Sequence, residues 1–292
     1  MPQALDAPRL LRRHGIRPLK RFGQNFLIDR GALMQVVAAA ELTGKETVLE
    51  VGAGLGALTR ELAVGARRVI AIEVDRRLLP ILREVLEGLT GVEILAADIL
   101  EIDLGAVLPV GPYQVVANIP YNITSALIRR FLESQDRPER MVLTIQREVA
   151  ERIVAGPGEM SLLAVSVQVF GVPKLGARIP AAAFYPRPEV DSAVLRIDTH
   201  STPPFDLSLV EPVFRLAKAG FAQRRKMLKN TLAAGLGWPA EKAVEVLAEA
   251  EIRSQARPQE LGLEDWAGLA RAAIGLGLLE ESRRLSRGDG VA

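Results

Sequence analysis

The chain has 292 residues, of which 49% are hydrophobic and 25% are charged, and its formal net charge is +2. This composition is typical of a folded globular protein and excludes disordered and fibrous classes, and the length predicts a main domain and a smaller one. The sequence has no cysteine and only two histidines. Disulfides, thiolate nucleophiles and cysteine-ligated zinc are therefore excluded, and we expect no metal site.

Two features bear on membranes and export. The longest uncharged stretch, residues 104–128, is long enough to cross a bilayer but contains prolines and amides throughout. That composition favours a buried strand with loops over a membrane helix. The N-terminus has no long apolar segment after its first charges, so we predict no signal peptide, no membrane contact and a cytoplasmic location.

Short apolar runs alternate with helical patterns from Thr47 onward, which is typical of an α/β fold with a parallel sheet. Strands are predicted at residues 47–51, 68–73, 92–97, 113–118 and 140–146. Helices are predicted between them at residues 57–64, 76–87 and 125–133. Two further apolar runs, residues 162–170 and 192–197, are candidates to extend the sheet.

A polar, proline-rich stretch at residues 199–205 predicts a linker between two domains. The pattern after it is helical, at residues 209–219, 223–232, 241–251 and 263–273. The predicted division is a basic N-terminal arm (1–20), an α/β domain (21–200), a smaller helical domain (205–282) and a mobile tail (283–292). The segment before about Pro18 is also expected to be mobile.

The segment EVGAGLGALTREL (50–62) follows a predicted strand and opens a predicted helix. Gly52, Gly54 and Gly56 lie in the turn, where glycine allows tight turning and a close approach of a ligand to the backbone. Because Ala57 completes a G-x-G-x-x-A pattern, the turn alone leaves an NAD- or FAD-dependent oxidoreductase open as an alternative.

Carboxylates end the next two predicted strands. Glu73 lies where a carboxylate can accept both ribose hydroxyls of a nucleoside, although a solvent-facing acid at a strand end is the simpler alternative. Asp98 ends the third strand and can accept a hydrogen bond from the amine of adenine. The three strand ends thus predict a site for an adenosine without obvious phosphate clamps, which favours S-adenosylmethionine over a dinucleotide.

The fourth predicted strand runs into NIPY (118–121), which can be interpreted as chemistry on an amine. An aryl amine is a poor nucleophile because its lone pair is delocalised into the ring. The Asn118 side-chain oxygen and the Ile119 main-chain carbonyl can accept its two N–H hydrogens and turn the lone pair toward an electrophile. Pro120 withholds a competing N–H donor, and the Tyr121 ring can stack on the base. On this stretch alone, an ordinary asparagine–proline loop is an equal alternative.

These motifs together closely resemble the rRNA adenine N6-dimethyltransferase family. The resemblance runs from RFGQNFL (21–27) through EVGAGLG, IE, AD and NIPY to FYPRPEV (184–190) and FAQRRKMLKN (221–230). It implies a Rossmann-like S-adenosylmethionine-dependent methyltransferase domain with a smaller all-helical C-terminal domain. It also implies dimethylation of two adjacent adenosines in a hairpin loop near the 3′ end of 16S rRNA, within an immature small ribosomal subunit, by a monomeric enzyme.

The resemblance implies roles for residues outside the strand ends. Asn25 and Leu27 close over the cofactor, and Gln24 beside them contacts it. The remaining cofactor contacts that it implies are Gly52, Gly54, Glu73, Asp98 and Asn118. Phe184 matches an aromatic residue that sandwiches the target adenine against Tyr121, although FYPRPEVDS on its own would be a proline-stiffened loop.

Two basic segments predict contact with RNA phosphates. If residues 223–232 form a helix, the cations around it share one stripe beside an apolar stripe, whereas a solvated basic face is the alternative. The predicted RNA-binding residues are Arg17, Lys20, Arg21, Lys218, Arg224, Arg225, Lys226 and Lys229.

Some positions leave the substrate branch open. NIPY replaces the NLPY that is usual in small-subunit enzymes and is also seen in resistance methylases that modify large-subunit rRNA. The FAQRRKMLKN segment and the C-terminal helices favour the small-subunit branch. A non-catalytic ribosome-assembly or transcription factor on the same scaffold is a further alternative, against which the intact NIPY motif argues.

Overall fold

The computed structural model describes residues 5–19, 22–108, 111–223 and 225–280. These residues form two compact units. The first contains the described residues of Met1–Glu151 together with Val172–Thr199, and the second contains Arg152–Gly171 and the described residues from His200 onward. The chain enters the second unit twice, so the predicted assignment of residues 152–171 to the first domain is wrong. The predicted tail (283–292) lies outside the described residues.

The first unit is built on strands that form two sheets. The strands are β1 (Phe26–Leu27), β2 (Thr47–Val51), β3 (Arg68–Glu73), β4 (Val92–Ala96), β5 (Tyr113–Asn118), β6 (Arg140–Gln146), β7 (Gly171–Ile179), β8 (Phe184–Tyr185) and β9 (Ser192–Thr199). The main sheet has seven strands in the order β4-β3-β2-β5-β6-β9-β7, and β1 pairs with β8 in a separate sheet. Strands β4, β3, β2, β5 and β6 are parallel to one another, and β9 is antiparallel to β6. The predicted parallel core and the predicted extension at residues 192–197 are confirmed.

Helices flank the sheets and make up the second unit. Those that begin in the first unit are α1 (Ala7–Arg13), α2 (Arg30–Ala40), α3 (Ala57–Gly65), α4 (Leu79–Val85), α5 (Leu104–Val107), α6 (Thr124–Leu132) and α7 (Arg147–Val154). Those of the second unit are α8 (Leu162–Gln168), α9 (Val210–Gly220), α10 (Leu228–Leu236), α11 (Ala240–Glu249) and α12 (Leu263–Gly275). Within the described ranges, no helix combines the length and apolar character that a membrane crossing requires.

The N-terminal segment carries a packed helix. Ala7 and Leu11 of α1 are 1% and 2% exposed and lie in one hydrophobic cluster with Leu78 and Ile81 at the start of α4. Asp6 begins the helix by accepting a hydrogen bond from Arg9 N at 3.0 Å. The expectation that the chain is mobile before Pro18 is therefore wrong for the part that the structure describes.

The apolar run at residues 162–170 forms α8 and not a strand. Ser161 caps the helix, since its hydroxyl accepts a hydrogen bond from Ala164 N at 3.1 Å. The run is apolar because Ala164, Val165 and Val167 are buried in the second unit. Burial on most sides removes the polar spacing that distinguishes helices from strands.

The predicted helix at residues 223–232 is also wrong in its first half. Phe221–Gln223 forms a short 3₁₀ turn, and Met227 is extended with φ −65° and ψ 145°. Leu228 N, the first helical amide of α10, donates to Ala256 O at 2.8 Å. Because the backbone is not helical before Leu228, the basic residues before and after it do not share one helical stripe.

The parallel register brings four strand ends to one edge. Strands β2, β3, β4 and β5 are neighbours, and they end at Val51, Glu73, Ala96 and Asn118. Loops after the carboxyl ends of parallel strands are the usual place for a ligand site in such folds.

Candidate active site

A cavity lies at this carboxyl edge of the first unit. Its lining includes ten of the residues that the sequence assigned to cofactor and target: Gln24, Asn25, Gly52, Gly54, Glu73, Asp98, Asn118, Ile119, Pro120 and Tyr121. These positions are spread over almost a hundred residues of sequence. The parallel sheet therefore gathers the predicted motifs into one site.

The glycine turn and Glu73 form one hydrogen-bonded structure. Gly54, whose φ is +57°, donates its N–H to Glu73 Oε2 at 2.7 Å, and Asp75 N donates to Glu73 Oε1 at 2.8 Å. Glu73 is only 5% exposed. Burial raises the pKa of Glu73, and the two backbone donors act in the opposite direction. The carboxyl group is thus fixed in direction at the cavity wall.

Gly54 also needs to lack a side chain. A Cβ atom there would lie 3.0 Å from the Phe26 ring, and its positive φ is strained for other residues. A side chain at this turn would therefore push against Phe26, which lines the same cavity.

Asp98 lies directly after the end of β4, the third of the predicted strands. Its Oδ1 accepts a hydrogen bond from Leu100 N at 2.8 Å, which orients the carboxylate next to Ala97, Ile99 and Leu100 in the cavity lining. An acceptor beside apolar groups is suited to an adenine ring, which is flat and carries an amine at one edge.

Asn118 has a defined amide orientation. Its Nδ2 donates to the main-chain oxygen of Asn25 at 2.9 Å. A main-chain carbonyl can only accept, so the atom that faces Asn25 must be the nitrogen. The Oδ1 atom is then the acceptor that this side chain can offer to a ligand. The next residue is fixed as well, since Ile119 N donates to Thr144 O at 3.2 Å.

Tyr121 begins a 3₁₀ turn (Tyr121–Ile123) directly after Pro120. Its hydroxyl lies 2.9 Å from the Ser192 hydroxyl. Burial raises the pKa of Tyr121, so the phenol stays protonated at neutral pH. Its chemical contribution is therefore its ring and not a phenolate.

Both polar atoms of the Gln24 side-chain amide form hydrogen bonds within the protein. Its Oε1 accepts from Leu19 N at 2.8 Å, and its Nε2 donates to Asp75 Oδ2 at 2.8 Å. Asp75 is 4% exposed and also binds the Arg77 guanidinium. Burial alone would raise the pKa of Asp75, but the bonds from Arg77 and Gln24 hold it below its ordinary value. The segment in front of β1 is thereby tied to the loop after β3.

Comparison with known proteins decides the family. The profile of the ribosomal RNA adenine dimethylase family matches residues 17–268. The chain belongs to this family. It is an S-adenosylmethionine-dependent rRNA adenine dimethyltransferase, so the recognition and the enzyme class predicted from the motifs are confirmed.

Individual relatives agree with the family match. The chain is 42% identical over 265 residues to ribosomal RNA small subunit methyltransferase A of Dehalococcoides mccartyi, covering 90% of this chain and 91% of the relative. It is 42% identical over 281 residues to the protein of that name from Pelotomaculum thermopropionicum, covering 92% and 95%.

Solved structures agree with the fold. A dimethyladenosine transferase from Plasmodium falciparum has a TM-score of 0.74 at 25% identity, covering 85% of this chain and 97% of that chain. The 23S rRNA methyltransferase ErmE has a TM-score of 0.70 at 30% identity, covering 85% and 99%. The Rossmann-like fold class is confirmed.

The residues present fit the dimethylase cofactor. S-adenosylmethionine contains an adenosine, and the cavity offers the fixed Glu73 carboxyl group and the oriented Asp98 carboxylate on its lining. Gly52 has a φ of +75°, and a Cβ there would lie 3.8 Å from Asn118 O. The backbone at this turn is consequently open to a ligand that a side chain would obstruct.

Leu27 and Phe184 do not line this cavity, but Leu27 lines a smaller cavity that shares Gly52, Gly54 and Asn118 with it. They are cross-strand partners in the β1–β8 sheet and are 3% and 4% exposed. Both pack in a hydrophobic core with Leu33, Val36 and Leu58. The predicted contact of Leu27 with the cofactor stays a prediction. The role of Phe184 as the partner of Tyr121 in stacking stays a prediction.

The predicted RNA-binding cations lie in both units. Arg17 is exposed in the first unit. In the second unit, Lys218, Arg225 and Lys226 are exposed and Lys229 is half-buried. Lys20, Arg21 and Arg224 lie outside the described residues.

Sequence reasoning missed two residues that hold the site together. Asp75 binds Gln24, and Ser192 binds Tyr121. A signal existed for each, because Asp75 follows the strand-end Glu73 closely and Ser192 ends the FYPRPEVDS motif. Across the ranges that the structure covers, no group of three or more His, Cys, Asp or Glu side chains could hold a metal ion.

Proposed function

We propose that the enzyme transfers methyl groups to N6 of two adjacent adenosines in a hairpin loop near the 3′ end of 16S rRNA, within an immature small ribosomal subunit. The relatives named as small subunit methyltransferase A support this, since they match about nine-tenths of the chain at 42% identity. We further propose that it acts as a monomer in the cytoplasm. Light scattering of the purified protein and cell fractionation test these two points.

The orientation of the Asn118 amide is the observation that carries the chemistry. Its nitrogen is engaged by Asn25 O at 2.9 Å, so Oδ1 is the atom available to an adenine amine. The Ile119 main-chain oxygen is proposed as the second acceptor. Two fixed acceptors hold both N–H groups of the amine and direct its lone pair away from the protein.

S-adenosylmethionine, when bound, supplies an electrophilic sulfonium methyl group. The proposed holding residues are Gly52, Glu73 and Asp98, which line the cavity. The residues of NIPY then fix the amine in line with that methyl group, so that most of the rate comes from proximity and orientation. Because N6 is engaged in pairing in a duplex, the target should be single-stranded or extruded.

The amine must lose a proton as it gains the methyl group. The chain has no cysteine, and its two histidines are engaged elsewhere, His14 with Glu84 at 2.9 Å and His200 with Gln168 O at 3.1 Å. Tyr121 stays protonated, as its raised pKa requires. Solvent water is therefore the proposed proton acceptor.

The decisive experiment supplies labelled S-adenosylmethionine and small subunits from cells that lack the modification. We expect two adjacent N6,N6-dimethyladenosines near the 3′ end of 16S rRNA, and the Asn118→Ala variant should give almost no label. Label at other bases, or no label with active wild-type protein, would contradict the proposal.

Large-subunit rRNA is the second candidate substrate. It is favoured by the NIPY sequence and by the likeness to ErmE at 30% identity and a TM-score of 0.70. Offering protein-free 23S rRNA in the same assay separates the two, because label there and not in small subunits would replace the first proposal by the second.

A further inference from the structure

Tyr121 and Ser192 join two motifs that are far apart in the sequence. Their hydroxyl oxygens lie 2.9 Å apart. Tyr121 belongs to NIPY at the end of β5, and Ser192 ends FYPRPEVDS and is the first residue of β9. Ser192 is fully buried, with no exposed surface.

Ser192 sits on a rigid part of the first unit. It pairs with Gln146 in the β6–β9 register, and the preceding carbonyl, Asp191 O, accepts from Arg147 N at 3.1 Å. The Asp191 side chain is held on the other side, since it accepts from Ala181 N and Arg178 Nε, both at 2.9 Å. The Ser192 hydroxyl is thus a fixed point, whereas Tyr121 lies in a short 3₁₀ turn.

We propose that Ser192 is a positioning residue, which fixes the direction in which the Tyr121 ring points through the hydroxyl–hydroxyl hydrogen bond. The inference rests on the proposed function, in which that ring stacks on the target adenine. A tyrosine ring that is held only by its Cα–Cβ bond can tilt about its first side-chain torsion, which moves the hydroxyl group. A bond at the far end of the ring removes that freedom.

A fixed ring matters more for the second methylation than for the first. In the second round the amine already carries a methyl group, so fewer orientations of the base bring its lone pair in line with the electrophile. A ring that tilts should therefore slow the second transfer more than the first. Monomethylated adenosine should accumulate when the hydrogen bond is removed.

The test compares Tyr121→Phe, Ser192→Ala and the double variant with wild type on under-methylated small subunits. Each single variant should lower kcat by about three- to tenfold, the range that corresponds to one net hydrogen bond. The KM for S-adenosylmethionine should stay within about twofold, since neither hydroxyl is proposed to touch it. The double variant should lose no more than the single variants, because both remove the same bond.

The ratio of monomethyl to dimethyl product is the discriminating measurement. We expect it to rise at least about threefold in both single variants, whereas a merely destabilised protein would lose active enzyme with the ratio unchanged. Ser166→Ala is the matched control, because it removes a hydroxyl that donates to Leu163 O at 2.8 Å in α8 of the second unit.

Three results would overturn the inference: an unchanged product ratio in both single variants, additive losses in the double variant, or an equal rise in the Ser166→Ala control. Failure of the proposed function looks different, since wild-type protein itself would then not methylate small subunits.

Discussion

The Gln24 side-chain amide donates to the Asp75 carboxylate at 2.8 Å, which links the segment in front of β1 to the loop after β3. Gln24 lines the proposed cofactor cavity, and so does Glu73, which lies two residues before Asp75. Gln24→Met keeps the side-chain length but removes both hydrogen bonds of the amide. We expect it to weaken S-adenosylmethionine binding by about tenfold, measured by calorimetry, because a hydrogen bond to a charged group is lost.

Asp29→Ala is the matched control for Gln24. Asp29 caps α2 by accepting from Ala32 N at 2.8 Å, so its loss should lower stability by about 1 kcal/mol and leave cofactor affinity unchanged. Equal affinities of the Gln24→Met variant and wild type would show that the link does not support the cofactor site.

Asn118 is expected to act through both ends of its amide. Asn118→Ala should lower kcat by about a hundredfold, the size of loss seen when a fixed polar group at a reacting centre is removed. Asn118→Asp should be equally poor, since it would set a carboxylate oxygen against the Asn25 carbonyl, which accepts from Nδ2 in the native protein. Asn122→Ala, at another amide in the cavity lining, should keep most of the activity. Single-turnover methyl transfer measures all three, and near-normal turnover in Asn118→Ala would refute the amine-orienting role.

Glu50 should make stability fall as pH rises. Its side chain is 1% exposed, and burial, with a smaller contribution from the charge of Glu73, raises its pKa from 4.5 to about 8. Between these values the folded protein keeps the proton and the unfolded chain releases it. The folded state therefore binds more protons, so the free energy of unfolding decreases from about pH 4.5 to about pH 8.

Glu50→Gln should remove this dependence. Melting temperatures across pH 5 to 9 should fall less steeply than in wild type, and the variant should be more stable by a few kcal/mol at the alkaline end. Glu87→Gln, at an exposed site, serves as control and should keep the wild-type slope. A Glu50→Gln protein that retained that slope would show that Glu50 is ionised in the folded state.

Gly220 allows close packing in the second unit. A Cβ there would lie 2.7 Å from the Trp266 ring and 2.9 Å from Leu228 Cδ1, and Trp266 is fully buried. Gly220→Ala should therefore lower the free energy of unfolding by about 1–3 kcal/mol. Gly268→Ala in α12 meets nothing within 4 Å and should instead be neutral or stabilise by up to about 1 kcal/mol. Urea unfolding of both variants checks the sign, and equal effects would contradict the packing argument.

The proposed RNA contacts can be ranked by exposure. Arg225 and Lys226 are exposed, whereas Lys229 is half-buried, so charge reversal at the first two should weaken RNA binding more. Reversing both should also lower the slope of binding against salt by about two, with cofactor affinity unchanged. Lys45→Glu is the control, because Lys45 precedes β2, at the edge of the sheet opposite the cavity. Filter binding across salt concentrations measures the slopes, and an unchanged slope would exclude this segment.

The sheet and the cavity lining were predictable because their signals are local. Each parallel strand is a short apolar run, and Glu73 and Asp98, which line the cavity, lie at or just after the ends of two of these strands. Once the strands are parallel, their carboxyl ends must meet at one edge. The orientation of the Asn118 amide could not be predicted from the sequence, because it depends on the carbonyl of Asn25, which is 93 residues away.

Other parts were decided by tertiary contacts. Leu27 and Phe184 pair across a two-residue sheet whose partners are far apart in sequence, so no local pattern indicated that Phe184 is buried. The break before α10 depends on the bond from Leu228 N to Ala256 O, while the basic residues around it have good helix propensity. For α8, the capping residue Ser161 indicates a helix, but the valine-rich run after it is equally typical of a strand.

The chain enters the second unit twice, and this affects how truncated forms of the protein can be designed. Phe170, in the inserted stretch Arg152–Gly171, stacks on Phe214 of α9 with ring centroids 5.9 Å apart. A truncation that kept only the first two hundred residues would remove Phe214 and leave the Phe170 ring without its stacking partner. A version of the first unit without the inserted stretch would instead need a linker that joins Glu151 to Val172.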